Sequence, residues 1–227
     1  KALVEEGYAV AWIMMPGGTG SSVSAHQAYP YPTDSANYLR YFIEPFVRTL
    51  NELIADYPDR PCIAGLSGGG WSTIWGAAID PRFRVSCPVS GGLWQGYPDG
   101  NFGQDWEQFL PGLGGLRLDY PDLYRLACTG GRTMTWRGNV TDGNVFTKAD
   151  YDAAFVQFGP YVEAATGGRF TMGWESPGAN HEVGAEALAA MIAAIGAATA
   201  GRGRGGRRRS ATLQALLIQR ARAGGRR

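Results

Sequence analysis

Residues Ile63 to Trp71 read Ile-Ala-Gly-Leu-Ser-Gly-Gly-Gly-Trp, an apolar run that breaks into Gly-x-Ser-x-Gly at Gly65, Ser67 and Gly69. This pattern fits a serine held on a tight strand-to-helix turn, with glycines where a Cβ would strike backbone. The pentapeptide alone is weak evidence. A chain of 227 residues with 34 glycines yields roughly 0.2 such matches by chance, so the flanking sequence decides. Pro61 to Leu66 has the length and apolar character of a buried parallel strand. After the glycines, Trp71, Ile74, Trp75 and Ala78 recur at helical spacing, and Asp80-Pro81 closes the segment.

A serine hydroxyl is a poor nucleophile near neutral pH and needs a neighbouring base, most often histidine. The chain has two histidines. His26 lies in a Ser-, Tyr- and Pro-rich loop with no regular element after it, and reads as an exposed loop residue. His181 follows a strand expected over Arg169 to Glu175 and precedes an alanine-rich helix expected from Val183 to Ala198. It is the candidate general base, the blander reading being a helix N-terminal residue.

The imidazole in turn needs a carboxylate to fix its tautomer and offset its charge. Arg132 to Arg137 alternates in residue type and is rich in β-formers. It runs into Gly138-Asn139-Val140-Thr141-Asp142-Gly143, a turn cluster with one carboxylate, which makes Asp142 the candidate acid. Read alone, Asp142 is also a plain turn aspartate. Asp150 and Asp152 open the next helix, where the helix dipole accounts for them. Glu175 is close to His181 along the chain, and Asp119 and Asp122 belong to the insertion before the strand.

The order Ser67, Asp142, His181 on alternating strands and helices resembles the α/β-hydrolase superfamily. The wording is closer to a bacterial group of these proteins with a Gly-Leu-Ser-Gly-Gly-Gly-Trp elbow. Its matching stretches include Tyr41-Phe42-Ile43-Glu44-Pro45, Ala78-Ile79-Asp80-Pro81-Arg82, Gly103-Gln104-Asp105-Trp106-Glu107-Gln108 and Asp122-Leu123-Tyr124. The resemblance runs from about Ala2 to Ala198 and implies a mostly parallel sheet flanked by helices. It implies hydrolysis of an ester or related acyl bond through an acyl-enzyme, with peptidase and acyltransferase chemistry using the same residues. Gly68, after the serine, is expected to give one oxyanion-hole N–H.

The second oxyanion donor depends on how the chain begins. Lys1 to Val10 reads as the end of a helix, a glycine cap and then a strand. In the resembled fold this phrase enters strand four, so that strands one to three and the oxyanion loop precede residue 1. A gap or an improvised pairing beside the elbow strand is then expected. The rival reading makes Tyr8 to Met14 the third strand and Pro16-Gly17-Gly18-Thr19-Gly20 the oxyanion loop. It leaves no apolar run for strand four, so the first reading is preferred.

Asn37 to Tyr57 places Tyr41, Phe42, Phe46, Leu50 and Leu53 on one helical face, Phe83 to Val89 reads as a core strand, and Lys148 to Ala165 as a helix. Ser90 to Tyr120 is Gly-, Pro- and Trp-rich without a period and too long for an ordinary connection. It sits where the superfamily inserts a cap. Trp94, Tyr97, Phe102, Trp106 and Phe109 therefore either line a substrate pocket or pack the insertion onto the domain, with Trp94 and Trp106 the candidate substrate contacts.

Residues 1–200 are expected to form one domain of a size that buries a substantial core. Gly201 to Arg227 holds nine arginines and no acid, so the preceding residues carry 12 basic and 20 acidic groups, about −8. This tail lacks interleaved aromatics and reads as disordered. The alternative function class is a non-catalytic fragment or binding protein whose basic tail contacts nucleic acid or an acidic surface. Ala185 to Ala200 is too short and alanine-rich for a membrane span. Three cysteines, Cys62, Cys87 and Cys128, give no even disulfide framework. No Cys/His cluster has metal-ligand spacing, and no cofactor is expected.

Overall fold

The computed structural model describes residues 2–14, 38–57, 61–92, 119–140, 148–175 and 181–200. Four strands, β1 (Cys62–Leu66), β2 (Val85–Val89), β3 (Thr133–Asn139) and β4 (Arg169–Glu175), form one sheet in the order β1-β2-β3-β4. Every pairing is parallel, so all four strands end at the same edge. Among the described residues six helices accompany them: α1 (Ala2–Glu5), α2 (Tyr38–Leu53), α3 (Gly68–Ile79), α4 (Tyr120–Cys128), α5 (Lys148–Thr166) and α6 (Ala185–Ala200).

Strand side chains alternate between two apolar layers. Cys62, Ala64 and Leu66 of β1 join Val85, Cys87 and Val89 of β2 in one layer, covered by Ala187, Met191 and Ile195 of α6 and by Leu3 of α1. Ile63 of β1, Met134 and Trp136 of β3 and Phe170 of β4 face the other layer, packed beneath α2, α3, α4 and α5. Strand order follows chain order without reversal, so right-handed crossovers put α3, α4 and α5 on one face. The sheet is thus buried on both sides, and β1 and β2 are buried at every position.

The strand and helix expectations from Pro61 onward hold within a few residues. α4 is an addition, nine residues long and opened by a capping box. The Asp119 carboxylate accepts the Tyr120 N–H at 2.7 Å, and the Asp122 carboxylate accepts the Asp119 N–H at 3.2 Å. Asp119 and Asp122 are therefore spent on a helix end. In α2, Phe42, Phe46 and Leu50 are buried as expected and are joined by Ile43, while Leu53 is half-buried and Tyr41 is exposed.

The helix and glycine cap at the start are present. Gly7 has φ 87°, its N–H donates to the Val4 carbonyl, and the Tyr8 N–H donates to that of Leu3, a Schellman closure. The strand expected after the glycine cap, set at Tyr8 to Met14 in the rival reading, is not formed. Tyr8 and Val10 pack on the α6-side layer and Ala11 and Ile13 on the other, the two-residue alternation of an extended segment, but no ladder forms here among the described residues. Trp12 and Met14 are exposed. Among the described residues β1 has a strand neighbour, β2, on one side only.

Two buried polar groups close the helix ends behind the sheet. The Arg132 guanidinium donates to the carbonyls of Ala77 (2.6 Å), Thr129 (2.8 Å) and Leu126, joining the last turns of α3 and α4. Asp80 ends α3 and accepts from the Arg82 backbone N–H at 3.0 Å and from its guanidinium at 2.6–3.1 Å. Burial pushes the Asp80 carboxyl up, but the Arg82 hydrogen bonds and the charges of Arg82 and Arg132 outweigh it and hold it below its ordinary value.

Candidate active site

Ser67 joins β1 to α3 with φ 59° and ψ −124°. A residue with a Cβ pays on the order of 1–3 kcal/mol for such a backbone and holds it only where its surroundings leave no alternative. Here they leave none. The Ser67 N–H donates to the Val89 carbonyl of β2 at 2.9 Å, and its carbonyl accepts the Trp71 N–H at 3.0 Å. A Cβ on Gly65 would overlap the Gly69 backbone, and one on Gly70 would lie 2.6 Å from the Val89 carbonyl oxygen. The Gly-x-Ser-x-Gly spacing is therefore a contact: Gly65 and Gly69 meet where the strand folds back into the helix.

Ser67 occupies the N-cap position of α3 but makes no side-chain capping bond. Its hydroxyl is thus not spent on the role that serine usually plays there. Gly68 is buried and begins the helix. Its N–H is among the first-turn donors that have no acceptor within the helix, at the end where the helix dipole favours negative charge.

The turn is braced from β2 by residues that sequence reading did not single out. A Cβ on Gly91 would overlap the Ser67 carbonyl oxygen. The Gly91 carbonyl accepts the Trp136 indole N–H at 3.1 Å, and the Gly92 carbonyl accepts the Tyr124 hydroxyl at 2.9 Å. Burial pushes the Tyr124 phenol well above its ordinary value, so it remains a donor. The glycine pair directly after a buried strand was the available signal.

At the same sheet edge, Ser90 also has a positive φ, 44°. Its N–H donates to the Arg137 carbonyl at 2.8 Å, and its hydroxyl donates to Asn139 Oδ1 at 2.8 Å. Asn139, buried at the end of β3, donates through Nδ2 to the Glu182 carbonyl at 3.0 Å. His181, half-buried, precedes Glu182 in the turn before α6. β4 stands three strands from β1, roughly 14 Å at about 4.8 Å per spacing. The chain carrying His181 closes part of that gap, since Glu182 has come back to the end of β3.

Glu175 ends β4 and is buried. Backbone N–H groups of Glu186 and Ala187 at the start of α6 donate to it, and a Cβ on Gly184 would overlap its carboxylate. Arg137 lies alongside, its Nε 3.7 Å from Glu175 Oε1, and its guanidinium donates to the Trp174 carbonyl at 2.9 Å. Burial nevertheless raises the Glu175 carboxyl, against the pull of Arg137 and the helix amides. Glu175 is a cap for α6. Asp152 accepts the Trp174 indole N–H at 3.0 Å and ties α5 to β4.

Asp142, Trp94, Trp106 and His26 lie outside the described residues, as does the basic tail. Cys62, Cys87 and Cys128 are buried free thiols, and burial pushes Cys62 and Cys128 up to about 12, which leaves them unreactive. No helix among the described residues is long and apolar enough to cross a membrane.

The parallel sheet, its helices on both faces and the strained serine between β1 and α3 define an α/β-hydrolase fold. No protein-family model matches the sequence, and no curated protein matches it. Solved structures do. A glucuronoyl esterase from Solibacter usitatus aligns with a TM-score of 0.54 at 15% identity over 71% of this chain and 48% of its own. A family 15 carbohydrate esterase, a glucuronoyl esterase from Teredinibacter turnerae, aligns with a TM-score of 0.51 at 16% identity over 70% and 46%. An uncharacterized protein from Bacillus cereus aligns with a TM-score of 0.52 at 12% identity over 87% and 53%. The chain spans about half the length of each of these proteins.

Proposed function

We propose that the protein is a serine hydrolase that cleaves a carboxylic ester through an acyl-enzyme. The observation that carries this reading is Ser67, held at a positive φ on a braced strand-to-helix turn with its hydroxyl left out of helix capping. Two of the structural neighbours bear the name glucuronoyl esterase, which supports an ester as the bond attacked.

In this reading His181 removes the Ser67 proton as Oγ attacks the ester carbonyl carbon. The Gly68 N–H stabilises the tetrahedral oxyanion, an interaction whose loss typically costs about 2.7–4 kcal/mol of barrier. The imidazolium returns the proton to the departing alcohol, leaving the acyl group on Ser67. Water, deprotonated by His181, then releases the acid and restores the hydroxyl. Asp142 orients the imidazole and offsets its charge, and Trp94 and Trp106 contact the substrate.

Fluorophosphonate labelling of the parent chain and of Ser67→Ala tests the assignment. Labelling of the parent that vanishes in the variant is expected, with a p-nitrophenyl ester chain-length series to follow. An unlabelled parent overturns it. Removal of residues 201–227 is expected to leave ester turnover unchanged. A large loss, with salt-sensitive retention of nucleic acid by the intact chain, would favour the tail as the working part.

A further inference from the structure

We infer that Asn139 is a positioning residue that locks the histidine turn to the serine turn. The inference rests on the proposed pairing of Ser67 and His181. Asn139 is the last residue of β3, is buried, and uses both ends of its amide. The Glu182 carbonyl has no proton to give, so Nδ2 must face it at 3.0 Å. That leaves Oδ1 to accept the Ser90 hydroxyl at 2.8 Å. The amide orientation is thereby fixed from both sides.

Each partner adjoins a functional candidate. Glu182 is bonded through its own backbone to His181. Ser90 precedes Gly91, which lies against the Ser67 carbonyl, and the Ser67 N–H is held by Val89 on the other side of Ser90. A single side chain thus spans the carboxyl edge of the sheet between the loop that seats the serine and the loop that carries the histidine. Two features argue for more than the filling of a polar hole. Ser90 is held at φ 44°, a backbone unfavourable for serine. The bond to Glu182 runs between residues 43 positions apart and bridges two different strand-end loops.

The test compares Asn139→Ala, Asn139→Asp, Ser90→Ala and the Ser90→Ala/Asn139→Ala double variant with the parent. Fluorophosphonate labelling rate and p-nitrophenyl acetate kinetics are read on the whole chain. Asn139→Ala is expected to lower the labelling rate and kcat by about a hundredfold with KM unchanged, as a misplacement near 1 Å does. Asn139→Asp is expected to fare no better, since it loses the donor and sets an anion against the Glu182 carbonyl. Ser90→Ala lowers kcat by a smaller factor, and the double variant matches Asn139→Ala because one linkage is being broken.

A folded Asn139→Ala with parental kcat, an effect confined to KM, or effects that multiply in the double variant would each overturn the inference. Near-UV circular dichroism establishes folding. Should Asn139→Ala not fold, Ser90→Ala decides, since it leaves Asn139 in place, and parental kcat there also overturns it. A parent that is not labelled removes the Ser67 assignment and this inference with it. A labelled parent beside an unaffected Asn139→Ala removes the inference alone.

Discussion

Gly91 lies against the backbone carbonyl of Ser67, with no space between them for a Cβ. The same Cβ would lie 2.7 Å from the Trp71 nitrogen, whose N–H closes the first turn of α3. The loop after β2 therefore forms one wall of the serine turn, and the strain at Ser67 is maintained by packing as much as by its own hydrogen bonds.

Gly91→Ala must push either that loop or the serine turn aside. Its expected cost is about 1–3 kcal/mol in urea unfolding, the range for overpacking a tight site, with loss of fluorophosphonate labelling in the protein that remains folded. Gly196→Ala is the contrast. Gly196 lies inside α6 with open space where its Cβ would go, so alanine there is expected to stabilise by up to about 1 kcal/mol and to leave labelling intact.

The serine turn was legible because its constraint is local: Gly65 and Gly69 meet within a single pentapeptide, and the spacing records the collision. Most of the β1-to-α6 order was legible for a similar reason, since β1 reads as an apolar run and β3 as a run of β-formers between turn residues, whereas α4 was not. Gly91, Tyr124 and Trp136 were not legible, because they reach Ser67 only through the pairing of strands distant in sequence. The Ser90–Asn139–Glu182 linkage is hidden likewise, each member being an ordinary polar residue near a turn. Tyr8 to Met14 keeps the alternation of a strand between the two layers, but such a segment becomes a strand only where a neighbour offers a ladder, and none pairs with it among the described residues.

Arg132 is buried and charged, yet its bonds run to backbone carbonyls at the ends of α3 and α4, where helix geometry leaves acceptors short of donors. Arg132→Met keeps much of the bulk and removes all the donors. It is expected to lower unfolding stability by about 3 kcal/mol, since hydrogen bonds from charged groups and stranded carbonyls are each costly. Arg132→Lys cannot reach the same set of carbonyls and is expected to recover little of the loss.

Asp80 gives a pH dependence with a defined sign. Its native carboxyl titrates below its ordinary value of 3.8, so its ion pair with Arg82 stabilises the fold above that value. The contribution is lost as pH falls through the depressed native value. Asp80→Asn is therefore expected to be less stable than the parent at pH 7, by about 1.5–3 kcal/mol for charge-assisted hydrogen bonds. The difference should shrink as pH falls from 4 toward 2. A difference that stays constant over that range in chemical denaturation would show that Asp80 acts through shape and not charge.

Glu175 carries the opposite sign. Burial between β4 and the start of α6 raises its native carboxyl above the ordinary value of 4.5, so the folded state holds the proton more tightly than the unfolded chain. The resulting stabilisation is fully present below the ordinary value and is lost as pH rises through the raised native one. Glu175→Gln retains an oxygen for the Glu186 and Ala187 amides but cannot ionise. The parent should therefore lose stability relative to Glu175→Gln as pH rises from 4 to 8, while it gains relative to Asp80→Asn between pH 2 and 4. Parallel urea titrations of the three proteins measure both trends. If the parent instead gains on Glu175→Gln with rising pH, Arg137 and the helix amides outweigh burial, and the carboxylate is held in its charged form as the cap of α6.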